Sequence, residues 1–268
     1  MRPCCREAFV IATKGTGVLF PSFSRRTVSP LGEQQSRVVV YTNSTQVVVP
    51  GNFGIAIPPV SAGSAELENH GTTLEVPAGD GLSGALKYLP DGFTRTLTQF
   101  HFHTPSEHRI DDEYFPLEMH LVFNTTPAVV GVLFQPVNGQ PAQNDFLRNV
   151  FLNIGKASSP GAHVPVGALD TRPIVSAIAK GPLYTYGGSL TTPPCTEGVR
   201  WFVLGAAQPL TVDTFNAVKS VMKFNARFSQ NAPGQINLLE LARRIADGPS
   251  VEVHSAARSR FFTNIRNP

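Results

Sequence analysis

Gln99-Phe-His-Phe-His-Thr-Pro-Ser-Glu-His-Arg109, followed by Glu118-Met-His120, decides how this chain is read. His101 and His103 are two residues apart. On a β-strand, side chains two apart point to the same face, about 6–7 Å from each other along the strand. Two imidazoles so placed can grip one metal ion. His120 lies far enough on for a turn and a returning strand, so it can complete a three-histidine site. Three protein ligands and one open position are what a catalytic zinc ion needs, and at about 2.0–2.1 Å per ligand the three nitrogens stand about 3–4 Å apart.

The neighbours sharpen this reading. Five of the seven histidines fall between His70 and His120. Glu118 is two before His120 and shares its strand face, where a carboxylate can accept the distal N–H of a ligand imidazole. Gln99 stands in the same relation to His101. The plain alternative for Glu118 is a solvated surface charge, since an unpaired buried glutamate is expensive. A rival metal pattern also exists. His101-x-His103-x3-Glu107 matches the opening of a cupin motif with Glu107 as a fourth ligand. That motif wants a glycine seven positions after the glutamate, where this chain has Tyr114.

The 268 residues suffice for one large domain with a substantial core. No apolar run approaches the roughly 18 residues of a membrane span. Gly 23 and Pro 23 with short apolar runs point to many strands and turns. Six of the 22 Lys and Arg, but only two of the 19 Asp and Glu, fall in residues 1–37. The net charge of +3 therefore belongs to that segment, and the near-neutral body has no basic patch suited to nucleic acid. Cys4, Cys5 and Cys195 form no zinc or redox motif. Asn43-Ser-Thr45 and Asn124-Thr-Thr126 fit the N-glycosylation pattern.

Residues 1–37 differ from the rest. Ala8–Thr13 is too short for the apolar core of a secretory signal. The Arg- and Ser/Thr-rich, acid-poor character suits a mitochondrial-type transit peptide or a disordered extension. From residue 38 strands dominate: Val38–Tyr41, Gln46–Val49, Leu67–Val76, Leu97–His103 and Leu117–Phe123, with a turn at Asp111-Asp-Glu113. Val129–Phe134 and Trp201–Gly205 read as central strands buried on both faces. Asn144–Ile154 has helical spacing with Asn144 as cap. Val212–Phe224 is the best helix, preceded by Thr211, with Phe215, Val218 and Met222 on one face. The expected fold is mainly β (α+β): a single domain, residues 38–268, with a large twisted, mostly antiparallel central sheet and a few short peripheral helices.

One further segment makes the pattern specific: Tyr184-Thr-Tyr-Gly-Gly-Ser-Leu-Thr-Thr-Pro-Pro-Cys-Thr-Glu-Gly-Val-Arg-Trp201. Together with Gln-Phe-His-Phe-His, Ser-Glu-His and Glu-x-His-Leu-Val in this order, it resembles the α-class carbonic anhydrases. Leu67-Glu-Asn-His-Gly-Thr-Thr-Leu-Glu-Val76 is similar to that family's earlier Asn-Gly strand. Asn225-Ala-Arg-Phe-Ser-Gln230 is similar to its C-terminal Asn-x-Arg-x-x-Gln. The resemblance covers about residues 50–250.

The resemblance implies zinc bound by His101, His103 and His120, with Gln99 and Glu118 as partners of His101 and His120. It implies that the Asn225 carbonyl holds His103. Thr191 would accept a hydrogen bond from a zinc-bound hydroxide and donate its own to Glu107. Thr192 would line the bicarbonate site, and Val122, Val129, Leu190 and Trp201 would form an apolar wall for CO₂. His108 and Tyr186 would buttress the Glu107–Thr191 region. Read without the resemblance, the valines are ordinary core and Thr-Thr-Pro-Pro is a plain turn. The implied reaction is reversible hydration of CO₂ to bicarbonate and a proton, by hydroxide that zinc stabilises near neutral pH. That property is established for the family.

The chain also departs from the family. The usual N-terminal Gln-Ser-Pro-Ile segment is not found: Gln35-Ser36 is followed by Arg37, and no tryptophan precedes Trp201. Secreted relatives often bridge the Cys195 position to a cysteine near that segment; here only Cys4 and Cys5 could serve, and because they fall in a stretch expected to be disordered, Cys195 is expected to be unpaired. Where efficient members carry a proton-shuttling histidine this chain has Thr72. His70, placed on the same strand face, is a partial substitute or a structural residue. The altered N-terminus also admits a second function, a binding module of the same fold with impaired catalysis.

Overall fold

Alternating apolar and polar residues, broken by Gly and Pro, favour short paired strands over helices. The computed structural model describes residues 36, 38–79, 81–124, 126–137, 145–192 and 195–226. Among these, the strands in chain order are β1 (Val39–Val40), β2 (Phe53–Ala56), β3 (Glu66–Asn69), β4 (Leu74–Pro77), β5 (Ala85–Tyr88), β6 (Phe93–His103), β7 (Arg109–Ile110), β8 (Glu113–Tyr114), β9 (Leu117–Phe123), β10 (Ala128–Pro136), β11 (His163–Pro165), β12 (Leu183–Ser189) and β13 (Glu197–Leu210). The helices are α1 (Asp145–Val150), α2 (Arg172–Lys180) and α3 (Val212–Met222).

The main sheet runs β11-β3-β4-β6-β9-β10-β13-β12, with β5 also paired to β6 and β2 to β5. Its pairings are antiparallel except β10 with β13. β1, β7 and β8 form a separate small sheet. The mostly antiparallel, strand-dominated architecture expected from the sequence is the one observed.

Register divides the main sheet into two faces. Val76, Phe100, Leu121, Val130 and Phe202 are successive cross-strand partners, and all are buried in the larger core. Each such side chain contributes about 1.5–3 kcal/mol through its removal from water. The next row, Gln99, Val122, Val129, Trp201 and Tyr186, points to the opposite face. There a smaller cluster gathers Val38, Val40, Val129, Leu133, Tyr186, Trp201 and Val203. β10 is buried from Ala128 through Phe134 because it has apolar layers on both sides.

Several elements differ from expectation. Leu67–Val76 is a hairpin, not one strand: β3 ends at Asn69 and β4 begins at Leu74. His70 N–H donates to the Thr73 carbonyl at 3.0 Å, and Gly71 takes φ +82°, the positive angle a two-residue hairpin turn demands at its first position. Gln46–Val49 forms no strand; Val47 makes a single bridge to Tyr184. The helix expected over 144–154 is only α1, and its cap Asn144 lies outside the described residues. α3 starts where expected, with Thr211 Oγ1 accepting from Thr214 N–H at 3.2 Å, and stops at Met222, short of the exposed Phe224.

The packed body reaches upstream of residue 38. Ser36 is buried, donates its N–H to Ser189 Oγ at 3.1 Å and accepts from Ser189 N–H at 2.8 Å. Cys195 is disulfide-bonded, which corrects the expectation of a free thiol. The remainder of residues 1–37 falls outside the described residues.

Candidate metal centre

β6 and β9 bring the three histidines together. In their antiparallel register His101 lies opposite His120, and His103 opposite Glu118. Period-two geometry then puts Gln99, His101, His103, Glu118 and His120 on one face. The imidazole centroids are 5.0 Å apart for His101–His103, 5.1 Å for His101–His120 and 4.6 Å for His103–His120. One ligand nitrogen from each lies within 4.8 Å of the other two, a wider bound than the about 3–4 Å expected for bound zinc. His103 and His120 are buried and His101 is partly exposed, so the cluster opens at one side.

Hydrogen bonds decide which nitrogens face inward. His101 Nδ1 is 2.8 Å from Gln99 Oε1, an acceptor, so Nδ1 carries the proton and Nε2 keeps its lone pair. Burial, followed by the neighbouring His103 and His120, holds His101 well below the usual histidine range and therefore neutral. His120 Nε2 is 2.9 Å from Glu118 Oε1, so Nε2–H donates and Nδ1 is left free to ligate.

Glu118 is fully buried, yet it is no solvated charge and no orphan. Oε2 accepts from the backbone N–H groups of Glu107 and His108 at 2.7 and 2.8 Å. Oε1 receives His120 and, at 2.6 Å, His108 Nδ1. Burial alone would raise this carboxyl, but the imidazoles of His108 and His120 outweigh it and hold Glu118 well below the glutamate range. With Nδ1–H spent on Glu118, His108 Nε2 accepts from the Tyr186 hydroxyl at 2.7 Å. Tyr186, His108, Glu118 and His120 thus form one buried chain of hydrogen bonds.

A second group, His108, Glu118 and His120, also clusters within 4.8 Å. It is a poorer metal site. All three residues are buried, so no position is left open, and both Glu118 oxygens are already engaged. Glu107, the fourth ligand of the cupin alternative, belongs to neither group. It is buried, with Oε2 3.6 Å from His103 Nε2. The donor set at His101, His103 and His120, three imidazoles converging with one side open, fits zinc.

Trp201 backs the site, 4.9 Å from the His120 ring and 4.8 Å from His108, and its Nε1–H donates to the Ser189 carbonyl at 2.9 Å. Val122 and Leu190 are partly exposed and pack against the cluster containing Val129 and Trp201. Thr191 is buried just past β12, and Thr192 is exposed, its carbonyl accepting from Cys195 N–H. Asn225 clamps the chain on both sides of His103. Its Oδ1 accepts from Thr104 N–H at 2.8 Å, and its Nδ2 donates to the Phe102 and Thr72 carbonyls. Thr72 and His70 sit in the β3–β4 turn, not on a strand face. His70 Nε2 is 3.3 Å from Glu68 and 3.9 Å from Glu75, the cross-strand partner of His101.

Two features were missed from sequence. Ser36 pairs with Ser189 across the chain, a contact invisible to any local pattern. Gly131 interrupts the apolar run of β10 opposite His120. A lone glycine inside a strand signals close approach by another group, and that cue was present.

A profile for the eukaryotic-type carbonic anhydrases matches residues 25–246. A carbonic anhydrase of Pectobacterium carotovorum is 32% identical over 164 residues, covering 60% of this chain and 63% of its own length. Alpha carbonic anhydrase 7 of Arabidopsis thaliana is 33% identical over 184 residues, covering 67% and 63%. The chain thus spans 63% of the length of these curated relatives. The fungal alpha carbonic anhydrase of Aspergillus oryzae superposes with a TM-score of 0.73 at 39% identity, covering 80% of this chain and 88% of that one. The chain, with its three histidines converging from β6 and β9, belongs to the eukaryotic-type carbonic anhydrase family.

Proposed function

We propose that this protein catalyses the reversible hydration of CO₂ to bicarbonate and a proton, with zinc held by His101, His103 and His120. The observation that carries the proposal is the convergence of three imidazoles on one sheet face, two with their protons turned outward by Gln99 and Glu118. When bound, zinc supplies a Lewis acid that lets water ionise near neutral pH.

The chain's own residues do the rest. Glu118 and Gln99 fix the rings and their tautomers. Thr191 accepts a hydrogen bond from the attacking oxygen and donates its own hydrogen bond to Glu107, so the oxygen turns a lone pair toward the substrate. Val122, Val129, Leu190 and Trp201 offer CO₂ an apolar wall that binds no competing water strongly. Thr192 lines the side where bicarbonate forms, and the Asn225 carbonyl steadies His103. Proton export is the slow step, because Thr72 cannot carry a charge near neutral pH.

Stopped-flow CO₂ hydration by the zinc-loaded protein, before and after chelation, tests this. Activity that follows zinc content is expected. A binding module would show neither stoichiometric zinc nor hydration.

A further inference from the structure

Gly131 lies on β10 directly opposite His120 and one strand away from Glu118. A Cβ built there would stand 2.9 Å from Glu118 Oε1, 3.8 Å from Val203 Cγ2 and 3.9 Å from His108 Nδ1. Only the carboxylate contact is too close. That oxygen is the one shared by His108 and His120. Glu118 has nowhere to retreat, since two backbone N–H groups hold its other oxygen and the side chain is fully buried. Gly131 is not among the residues with positive φ, so its backbone does not require glycine. In such a position alanine would ordinarily be the more favourable residue, by roughly 0.5–1 kcal/mol.

We propose that Gly131 is a positioning residue for the metal centre. Its missing side chain makes the space in which Glu118 can bond His108 and His120 at once, and so sets the orientation and tautomer of His120. The proposal rests on the assignment of His120 as a zinc ligand.

The test uses Gly131→Ala in the full chain. Zinc affinity is measured by chelator competition, and the imidazole N–H proton resonances of His108 and His120 are followed by NMR in the metal-free protein. Zinc affinity should fall about 10–100-fold, the usual cost of losing a ligand's outer partner, and both resonances should shift or vanish. Glu118→Asp, which withdraws the carboxylate by one methylene, should restore affinity when added to Gly131→Ala although it weakens zinc binding alone. Gly54→Ala, on a strand with open space at the Cβ position, should change nothing. Unchanged resonances and affinity in Gly131→Ala, or strictly additive effects of the two substitutions, would overturn the proposal. If Gly131→Ala fails to fold, folding restored by Glu118→Asp supports it. A double variant that stays unfolded places the clash elsewhere and overturns it. A wild-type protein without zinc affinity would refute the zinc assignment, while the resonances would still decide the role of Gly131.

Discussion

Replacing Glu118 by glutamine keeps the shape of the side chain and inverts its chemistry. The oxygen of the new amide will take the site now occupied by Oε2, because two backbone N–H groups, from Glu107 and His108, point at it. The amide NH₂ must then occupy the Oε1 site and face His108 Nδ1 and His120 Nε2. Both nitrogens must become acceptors, and His120 must move its proton to Nδ1, the atom that would hold the metal. Hydrogen bonds to a charged group contribute about 1.5–3 kcal/mol against about 0.5–1.5 for neutral pairs, so the His120 bond alone loses about 1 kcal/mol before the tautomer is counted. Loss of such a partner typically weakens metal binding about 10–100-fold, or about 1.4–2.7 kcal/mol. Zinc affinity measured by chelator competition at neutral pH should fall by that amount. His120→Ala, which removes the ligand itself, should cost more and abolish CO₂ hydration. Unchanged zinc affinity in Glu118→Gln, or a loss equal to that of His120→Ala, would refute the tautomer reasoning.

Stability of the metal-free protein should decline as the medium is acidified. Folding holds His101 neutral, so the unfolded chain takes up a proton first; stability is fully present above about pH 6.5 and falls below it. Glu118 adds a second loss at lower pH, since its lowered value contributes stability only above the ordinary glutamate range. Denaturant titrations that show no decline between neutral pH and about pH 4.5 would contradict the His101 shift, and no further decline below that range would contradict the Glu118 shift. Turnover should depend on buffer concentration and be rescued by small imidazoles, and Thr72→His should raise it at low buffer. Buffer-independent turnover with no gain from Thr72→His would rule out slow proton export, and a collapse in His70→Ala alone would make His70 the carrier. Ser36→Ala should lower stability by about 1–3 kcal/mol, because it leaves the buried Ser189 N–H without its acceptor; an unchanged denaturation midpoint would show that the Ser36 pairing is not needed.

The sequence by itself determined which side chains share a face. Period two on a strand is a local property, so His101 with His103, Glu118 with His120 and Gln99 with His101 were legible from spacing alone, as were β9 to the residue and the Thr211 cap of α3. The Gly-Ser-Leu-Thr-Thr-Pro-Pro segment added the family. Tertiary structure decided what stands opposite each face. Strand neighbours and register come from pairing between distant segments, which no local pattern encodes. Only the fold set His101 against His120, laid β13 parallel beside β10, reached from His108 to Tyr186 and from Ser36 to Ser189, and bent Leu67–Val76 into a hairpin at Gly71. Glu118 shows the division most clearly. Its strand face was readable, but a buried carboxylate is tolerable only with every oxygen satisfied. Its bond to His108, its two backbone donors and the gap at Gly131 come from chain segments that meet only after folding.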